Sequence, residues 1–324
     1  MKMKKIYGLL AVALILTTIV AVRPLRAYWT QKILATDGVT ILNSRWDSST
    51  FPVSWQLDPT QGTNLTGSRT LGSVLASAFG AWTTAVGTVS ATQGANAMAG
   101  TAVDKFDGVN LITTNPGSTV LPVNVLALTY PFAFDTPGPD GVGRTVKFAG
   151  EIMESDIAFS SAFPFSLNPT PGANQVDLQG VATHEIGHFF GMDHATNTSS
   201  TMFWTTALGF MYQRNPSTDD IAGMSTLYPP ATFAQMGTLT GQVKTTSGTP
   251  VFGAIVVAVN ASGQPAASTL SDPSGLYTIQ GLPAGSYTVY AEPLNGRIGV
   301  ANIYTLTPIY PSATVNTSFT TRYH

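Results

Sequence analysis

Three of the chain's four histidines fall within the run HEIGHFFGMDH, between His184 and His194. On a helix, His184 and His188 lie one turn apart on the same face, so both imidazoles can reach one ion. Gly191 allows the sharp turn that would bring His194 back as a third ligand. Glu185 lies beside them, close enough to hold a metal-bound water. Three neutral nitrogens and one open position are typical of a catalytic zinc rather than of a closed structural site.

The histidine run resembles the metzincin zinc proteases, which carry a methionine at a fixed distance downstream. Here Met202 follows His194 in SSTMFW, and Asp193 precedes the third histidine. Both features are most similar to the matrixins, the matrix-metalloprotease-like family, and the resemblance extends over roughly residues 45–230. An amphipathic helix with incidental histidines is the alternative. The number of motif positions that match at fixed spacing disfavours it.

The resemblance implies roles for particular residues. Zn²⁺ would lower the pKa of its bound water toward about 7, and Glu185 would act as the general base that takes the proton. Met202 would form a packing floor beneath the zinc, although Met is also an ordinary core residue. The backbone of Leu126 and Ala127 would pair with an extended peptide substrate. A plain buried strand explains those last two residues equally well.

The sequence departs from the matrixin pattern at two further metal positions. Leu128 stands where a histidine of a second, structural zinc is expected, and the spare histidine, His324, is at the far terminus. We therefore expect one catalytic zinc only. Calcium is conceivable because loop carboxylates supply the oxygen ligands it prefers, although solvated turns and a strand face explain the same residues. The candidate calcium ligands are Asp135, Asp140, Glu154 and Asp156.

The elements that position the motif follow from hydrophobic spacing and turn residues. The HEIGH run lies in the clearest predicted helix, 176–190, and apolar residues at helical spacing predict others over 70–86 and 217–228. Strands are predicted at 51–57, 108–114, 123–130 and 151–160, and residues 87–100 are predicted as loop. The fold class is therefore α+β. The resemblance implies a metzincin domain, with a mixed twisted sheet, an active-site helix and a C-terminal helix.

Two adjacent carboxylates begin the last of these helices. In matrixins a pair such as Asp219 and Asp220 hydrogen-bonds the catalytic core, including the turn that carries the methionine. The alternative is a helix start in which Ser217 is the N-cap and the acidic residues match the helix dipole. That arrangement needs no further partner.

After Gly237 the helical pattern gives way to short alternating segments separated by Gly, Pro and Asp. The run DPSGLYTIQGLPAGSYTV resembles the carboxypeptidase regulatory-like family, which has a transthyretin-like β-sandwich fold. No cluster of titratable residues occurs in it, so we expect a spacer, a stabiliser or a weak binding module. The predicted domains are a matrixin-like protease domain over 28–232 and an all-β sandwich over 237–324.

The N-terminus has the layout of a secretory signal peptide. Three lysines precede an apolar run from Ile6 to Val22, and Ala27 offers a small residue for cleavage. An uncleaved N-terminal anchor is the alternative for residues 1–27. Either form predicts an exported body that is secreted, periplasmic or surface-anchored, with membrane contact only if the segment is retained. The chain has no cysteine, which excludes disulfides and a cysteine-based latency switch.

Charge and composition exclude other classes. The chain has 15 basic and 17 acidic residues, and five of the basic ones lie in the first 27 residues, so the body is acidic and poorly suited to nucleic acid. No feature indicates an oligomer, so we expect a monomer. The sequence predicts a secreted zinc-dependent endopeptidase that acts on proteins or peptides. The alternative is a catalytically silent extracellular binding or adhesion protein on the same scaffold, which the intact His184, Glu185, His188 and His194 disfavour.

Overall fold

The computed structural model describes residues 3–5, 29–117 and 121–323 of the chain. The predicted signal segment therefore lies outside the described residues, except for a three-residue backbone strand at Met3–Lys5. His324 lies outside them as well. Within the described ranges, no helix has both the length and the apolar character needed to cross a bilayer.

The chain alternates short strands with a few helices up to about residue 230. The helices of this region are α1 (Leu71–Val86), α2 (Leu178–Phe189) and α3 (Thr218–Leu227). Its strands are β1 (Met3–Lys5), β2 (Lys32–Leu34), β3 (Ile41–Asn43), β4 (Val53–Leu57), β5 (Leu65–Thr66), β6 (Ala91–Gln93), β7 (Leu111–Thr113), β8 (Ala127–Phe134), β9 (Gly138–Pro139), β10 (Thr145–Val146), β11 (Glu151–Phe159), β12 (Phe165–Ser166) and β13 (Val176–Asp177).

The C-terminal region is rich in antiparallel strands. It contains β14 (Gly237–Gln242), β15 (Ile255–Asn260), β16 (Pro265–Leu270), β17 (Leu276–Leu282), β18 (Tyr287–Glu292), the one-turn helix α4 (Leu306–Ile309) and β19 (Arg322–Tyr323). Strands β14 and β17 form one sheet, and β16, β15, β18 and β19 form the other in that order. The α+β fold followed by a β-sandwich is thereby confirmed. The short helix α4 is an addition to the predicted all-β pattern.

The main sheet of the first region is mixed and has the order β1-β8-β11-β7-β4-β6. Strands β11, β7, β4 and β6 pair in parallel, whereas β8 pairs antiparallel with β11. Strand β1 covers the outer edge of β8 only at Phe132–Phe134. No described strand pairs with that edge at Ala127–Thr129.

Two predicted elements differ from the structure. The strand predicted over 123–130 lies at 127–134 and continues through Pro131, which is opposite Ser155 of β11. Proline has no N–H to donate, but a strand near a sheet edge tolerates it. The predicted loop 87–100 contains β6, a strand too short to show alternation, which forms by parallel pairing with β4.

The three predicted helices occur within two residues of their expected ends. Thr70 caps α1, Asp177 caps α2, and Ser217 forms a capping box with Asp220 at the start of α3. These side chains accept hydrogen bonds from the first-turn N–H groups, which have no partner within a helix.

The C-terminal domain packs directly onto α3. One apolar core cluster includes Met224 and Leu227 of α3 together with Val256 and Ile279 of the sandwich strands. The Asp219 carboxylate is fully buried and accepts hydrogen bonds from both the backbone N–H and the hydroxyl of Ser268 in β16. The helix that closes the first domain is therefore also part of the second domain's core.

We expect Asp219→Ala to destabilise the protein by about 1–3 kcal/mol. The substitution leaves the buried N–H and hydroxyl of Ser268 without their acceptor, and such groups pay the desolvation cost of a lost partner. Denaturant unfolding of the full chain measures the change. A free energy of unfolding equal to that of wild type would contradict this role for the inter-domain contact.

Asp219→Asn is the matched control. Burial and the neighbouring Asp220 raise the pKa of Asp219 well above its ordinary value of 3.8. The unfolded chain therefore releases this proton at lower pH than the folded chain, and this group's contribution to stability falls as pH rises above 3.8. The asparagine keeps an acceptor and does not titrate, so its stability relative to wild type should increase over the same pH interval.

Candidate metal centre

Helix α2 is buried and is fixed by three aromatic hydrogen-bond donors from other elements. Trp82 of α1 donates its indole N–H to the Thr183 carbonyl at 2.7 Å. The carbonyls of Phe189 and Phe190, at the helix end, accept bonds from the Trp46 indole (2.8 Å) and the Tyr228 hydroxyl (2.7 Å). Carbonyls at the C-terminus of a helix have no partner within it, so these bonds also anchor that end.

The three histidines meet at one point. One ring nitrogen from each of His184, His188 and His194 lies within 4.8 Å of the others, and all three residues are buried. The ring centroids are separated by 4.8 to 5.2 Å. Among the described residues, this is the one group of three or more histidine or carboxylate side chains whose ligand atoms converge in this way.

A backbone carbonyl fixes the orientation of each imidazole. The Nδ1 atoms of His184, His188 and His194 lie 2.8, 2.8 and 2.6 Å from the carbonyls of Thr201, Met192 and Asn302, in that order. A carbonyl only accepts hydrogen bonds, so each Nδ1 carries the proton and each Nε2 keeps a free lone pair. Burial lowers the pKa of all three imidazoles to about 3, which keeps them neutral. Neutral nitrogens with fixed tautomers fit Zn²⁺.

A turn at Gly191 returns His194 to the helix. The φ angle of Gly191 is +99°, and a Cβ atom there would lie 2.3 Å from the Ser44 carbonyl oxygen, so glycine is required on both counts. The preceding segment Trp29–Gln31 runs alongside the turn: the Gln31 N–H donates to Gly191, and the Asp193 N–H donates to Trp29. The third histidine is therefore held by backbone pairing as well as by its own ring.

Glu185 follows His184 in α2, and its buried side chain contacts strand β8. Its Oε2 accepts a 2.7 Å hydrogen bond from the hydroxyl of Thr129, a residue of β8. Burial raises the pKa of Glu185 to about 7, although the bond from Thr129 lowers it. A carboxyl group whose pKa is near neutrality can both accept and release a proton at physiological pH.

Met202 lies beneath α2 and is fully buried. A Cβ atom added to Gly187 would lie 2.1 Å from the Met202 sulfur and 2.9 Å from Trp82, so glycine permits the close approach. Asp220 holds the turn, because its carboxylate accepts bonds from the backbone N–H groups of Thr201 (2.8 Å) and Met202 (3.1 Å). Asp220 thus contacts the methionine turn, whereas Asp219 contacts the other domain.

We expect Gly187→Ala to destabilise the protein by about 1–3 kcal/mol, since it overpacks the contact with Met202. Gly80→Ala in α1 is the matched control. A Cβ at Gly80 meets nothing within 4 Å, so alanine there should stabilise the helix by about 0.5–1 kcal/mol. Chemical denaturation of the two variants measures both values. Equal free energies of unfolding in Gly187→Ala and Gly80→Ala would show that Met202 can move away from the helix at no cost.

The predicted substrate-pairing residues lie on β8 and the residue before it. The Leu126 carbonyl accepts a bond from Ser160, and Ala127 pairs with Phe159 of β11. Both main-chain contacts are therefore on the inner side of the strand. The outer side at Ala127–Thr129 has no described neighbouring strand.

The candidate calcium ligands lie apart from the histidines and have protein partners. Glu154 accepts bonds from the N–H groups of Asp107 and Gly108, and Asp156 from those of Asp104 and Leu111. Asp140 pairs with Arg144, and Asp135 with Thr36. Calcium binding at these residues remains a prediction.

Leu128, which stands where a histidine of a second zinc is expected, packs in an apolar cluster with Val103 and Phe132. The single zinc also remains a prediction.

Sequence reasoning missed several residues of this site. Thr129 contacts Glu185, Asn302 contacts His194 through its carbonyl, and the ring of Tyr304 lies 4.6 Å from that of His194. Partial burial, with the negative charges of Glu185 and Asp193, raises the pKa of Tyr304 to about 12. Thr129 was detectable as the hydroxyl residue of the predicted edge strand. The backbone carbonyl of Asn302 leaves no signal in the sequence.

Two family models match the chain. Residues 130–229 match the matrixin model, and residues 238–318 match the carboxypeptidase regulatory-like domain. The chain thus carries a matrixin-like, metalloprotease-like domain followed by a carboxypeptidase regulatory-like domain, and both expected resemblances are confirmed. The matrixin match begins at residue 130, inside β8, and includes the histidines and α3, so it covers only the second part of the expected 45–230 resemblance. The earlier strands and α1 lie outside it.

The chain is also similar to individual proteins with matrix-metalloproteinase names. It is 32% identical over 102 residues to matrix metalloproteinase-20 of Homo sapiens, which is 32% of this chain and 20% of that protein. It is 29% identical over 96 residues to probable matrix metalloproteinase 095L of Invertebrate iridescent virus 3, covering 29% of this chain and 25% of that protein. Metalloendoproteinase 1-MMP of Arabidopsis thaliana is 37% identical over 65 residues, covering 20% of this chain and 18% of that protein. The matched region thus spans a quarter or less of each relative.

Proposed function

We propose that the protein is a secreted zinc-dependent endopeptidase. The observation that carries the proposal is the convergence of three buried imidazoles, each with Nδ1 bound to a carbonyl, beside the Glu185 carboxylate. The similarity to matrix metalloproteinases supports the same conclusion. The domains that we assign are 28–232 for the protease and 237–324 for the sandwich, after a signal segment at 1–27.

His184, His188 and His194 would hold the zinc through their Nε2 atoms. Bound there, Zn²⁺ would supply Lewis-acid polarisation of a substrate carbonyl and would lower the pKa of a water molecule. Glu185 would accept the proton of the attacking water and then release it to the leaving amine. Thr129 would keep the carboxylate in place during both transfers.

The substrate that fits this site is an extended peptide. The outer edge of β8 at Ala127–Thr129 runs past Glu185, since Thr129 contacts that carboxylate directly. A peptide added to this edge would bind through main-chain hydrogen bonds, with selectivity left to side-chain pockets. We propose proteins and peptides as substrates and a monomer as the active form.

Cleavage of casein by the full mature chain tests the function. We expect activity that a chelator abolishes and that added Zn²⁺ restores. Glu185→Ala should lower turnover by about 10²–10⁴-fold, because it removes the general base, while zinc content stays near one ion per chain. Glu292→Ala, which removes a glutamate of β18 in the other domain, is the control for the substitution itself.

A zinc-loaded wild-type chain without chelator-sensitive cleavage would contradict the endopeptidase proposal and favour a silent binding protein. Glu185→Ala with wild-type turnover would instead remove Glu185 as the base. The two outcomes are distinct, because the first decides whether the chain is an endopeptidase and the second decides whether Glu185 is its general base.

We expect Thr129→Val to lower kcat/KM by about 10- to 100-fold with zinc content unchanged. The substitution deletes a hydrogen bond to a charged group, which is worth about 1.5–3 kcal/mol. Thr129→Ser restores the hydroxyl and should recover most of the loss. If serine fails to recover activity, the methyl packing of Thr129 rather than its hydrogen bond is what matters.

A further inference from the structure

A segment of the C-terminal domain, Gly299–Leu306, lies against the candidate metal centre. Its Asn302 carbonyl accepts the hydrogen bond from His194 Nδ1 at 2.6 Å. The Asn302 side chain in turn accepts a 2.9 Å bond from the Gly299 N–H, and the Asn302 N–H donates to the Gly299 carbonyl. The carbonyl that orients the third histidine is therefore held in a tight turn.

Thr305 ties the same segment to the residue before His194. Its hydroxyl and its backbone N–H donate to the Asp193 carboxylate at 2.9 and 3.1 Å, and its hydroxyl accepts the Trp29 indole N–H at 2.7 Å. Asp193 also accepts a bond from the His194 N–H at 2.7 Å. One carboxylate thus joins the third ligand to both the N-terminal stretch and the C-terminal domain.

Apolar packing holds the segment on both sides of Thr305. Ile303 and Leu306 are buried in one cluster with Trp29 and Phe203, the residue that follows Met202. A second bond connects the domain to the segment after the methionine turn, because the Trp204 indole donates to the Arg297 carbonyl at 2.9 Å. The contact between Asn302 and His194 is therefore one part of an extended interface.

Tyr304 lies between two buried neighbours, Ile303 and Thr305, but the residue itself is 51% exposed. Its ring centroid lies 4.6 Å from that of His194 and 6.4 Å from that of His188. Because both neighbours are buried, the backbone is fixed, and the half-exposed ring lies beside two of the three imidazoles. A half-exposed aromatic ring at this position offers an apolar surface to a bound side chain.

We propose that the active site is shared between the two domains: Gly299–Leu306 positions His194, and Tyr304 is a specificity-determining residue that walls the substrate cleft. This inference rests on the proposed endopeptidase function. The ligand that Tyr304 would contact is an apolar or aromatic side chain of an extended peptide, bound beside His188 and His194. The C-terminal domain then contributes directly to the site instead of acting as a spacer.

Zinc affinity tests the positioning role without any need for cleavage. Thr305→Val removes the hydroxyl that bonds to Asp193 and should weaken zinc binding about 10-fold, since outer partners of metal ligands are worth about 10- to 100-fold in affinity. Equilibrium competition with a chromophoric chelator measures it on the full chain. Thr305→Ser keeps the hydroxyl and should bind zinc close to wild type.

Thr278→Val is the matched control, because Thr278 is a buried threonine of the same domain whose hydroxyl has no partner among the described residues. We expect no change in its zinc affinity. Wild-type zinc affinity in a folded Thr305→Val chain would overturn the positioning role.

Steady-state cleavage of one casein-derived peptide by folded variants tests Tyr304, which is half-exposed. Tyr304→Ala should raise KM about 10-fold with a much smaller change in kcat and with zinc affinity unchanged, and Tyr304→Phe should recover most of the KM increase. Tyr323→Ala is the control: Tyr323 is 74% exposed in the same domain and packs against Tyr290. An unchanged KM in Tyr304→Ala would contradict contact between Tyr304 and the substrate. A higher kcat/KM would also contradict it, because it would indicate that the ring obstructs substrate binding.

The two proposals fail separately. A wild-type chain that binds zinc but cleaves nothing contradicts the endopeptidase function, and with it the wall role of Tyr304. The zinc-affinity comparison of the Thr305 variants still decides whether the C-terminal segment positions His194. A wild-type chain that cleaves normally, with variants that match it in both zinc affinity and KM, contradicts the shared site alone.

Discussion

The structure depends on one repeated interaction, the hydrogen bond from an imidazole Nδ1 to a backbone carbonyl. It occurs at all three histidines and leaves each Nε2 with a free lone pair. The three carbonyls belong to Thr201 in the methionine turn, Met192 beside the histidine helix, and Asn302 in the other domain. Each of these segments must be placed accurately for its carbonyl to reach the imidazole, so the geometry of the histidine site depends on most of the fold.

Buried carboxylates hold several of these segments in place by accepting hydrogen bonds from them. Asp220 holds the methionine turn, Asp193 holds the segment around Thr305, and Asp219 holds β16 of the sandwich. The same device fixes the loop before β7, where Glu154 and Asp156 accept bonds from backbone N–H groups. A buried carboxylate that collects several N–H donors orders irregular backbone, and this chain has no disulfide with which to do so.

The sequence predicted the local parts of the site because local chemistry leaves a pattern. The i, i+4 spacing of His184 and His188, the capping residue Ser217, and a glycine at the turn all follow from helix geometry. Local patterns did not predict strand β6 or the shifted position of β8. Pairing with β4 determines β6, and pairing with β11 determines the position of β8. The contacts of Asn302 and Tyr304 with His194 were also beyond prediction. A backbone carbonyl can come from any residue type, and a tyrosine beside histidines has meaning only once the chain has folded.

The separation of interacting residues along the chain has a consequence for the order in which the site can form. Asn302 lies 108 residues after His194, and Thr305 lies 276 residues after Trp29. During synthesis the histidine helix is complete long before these partners exist. If Asn302 positions His194 as we propose, this histidine would acquire its final orientation only once the sandwich has been made and has folded against the first domain. In such an arrangement the complete surroundings of the three histidines would form only after the C-terminal domain has folded.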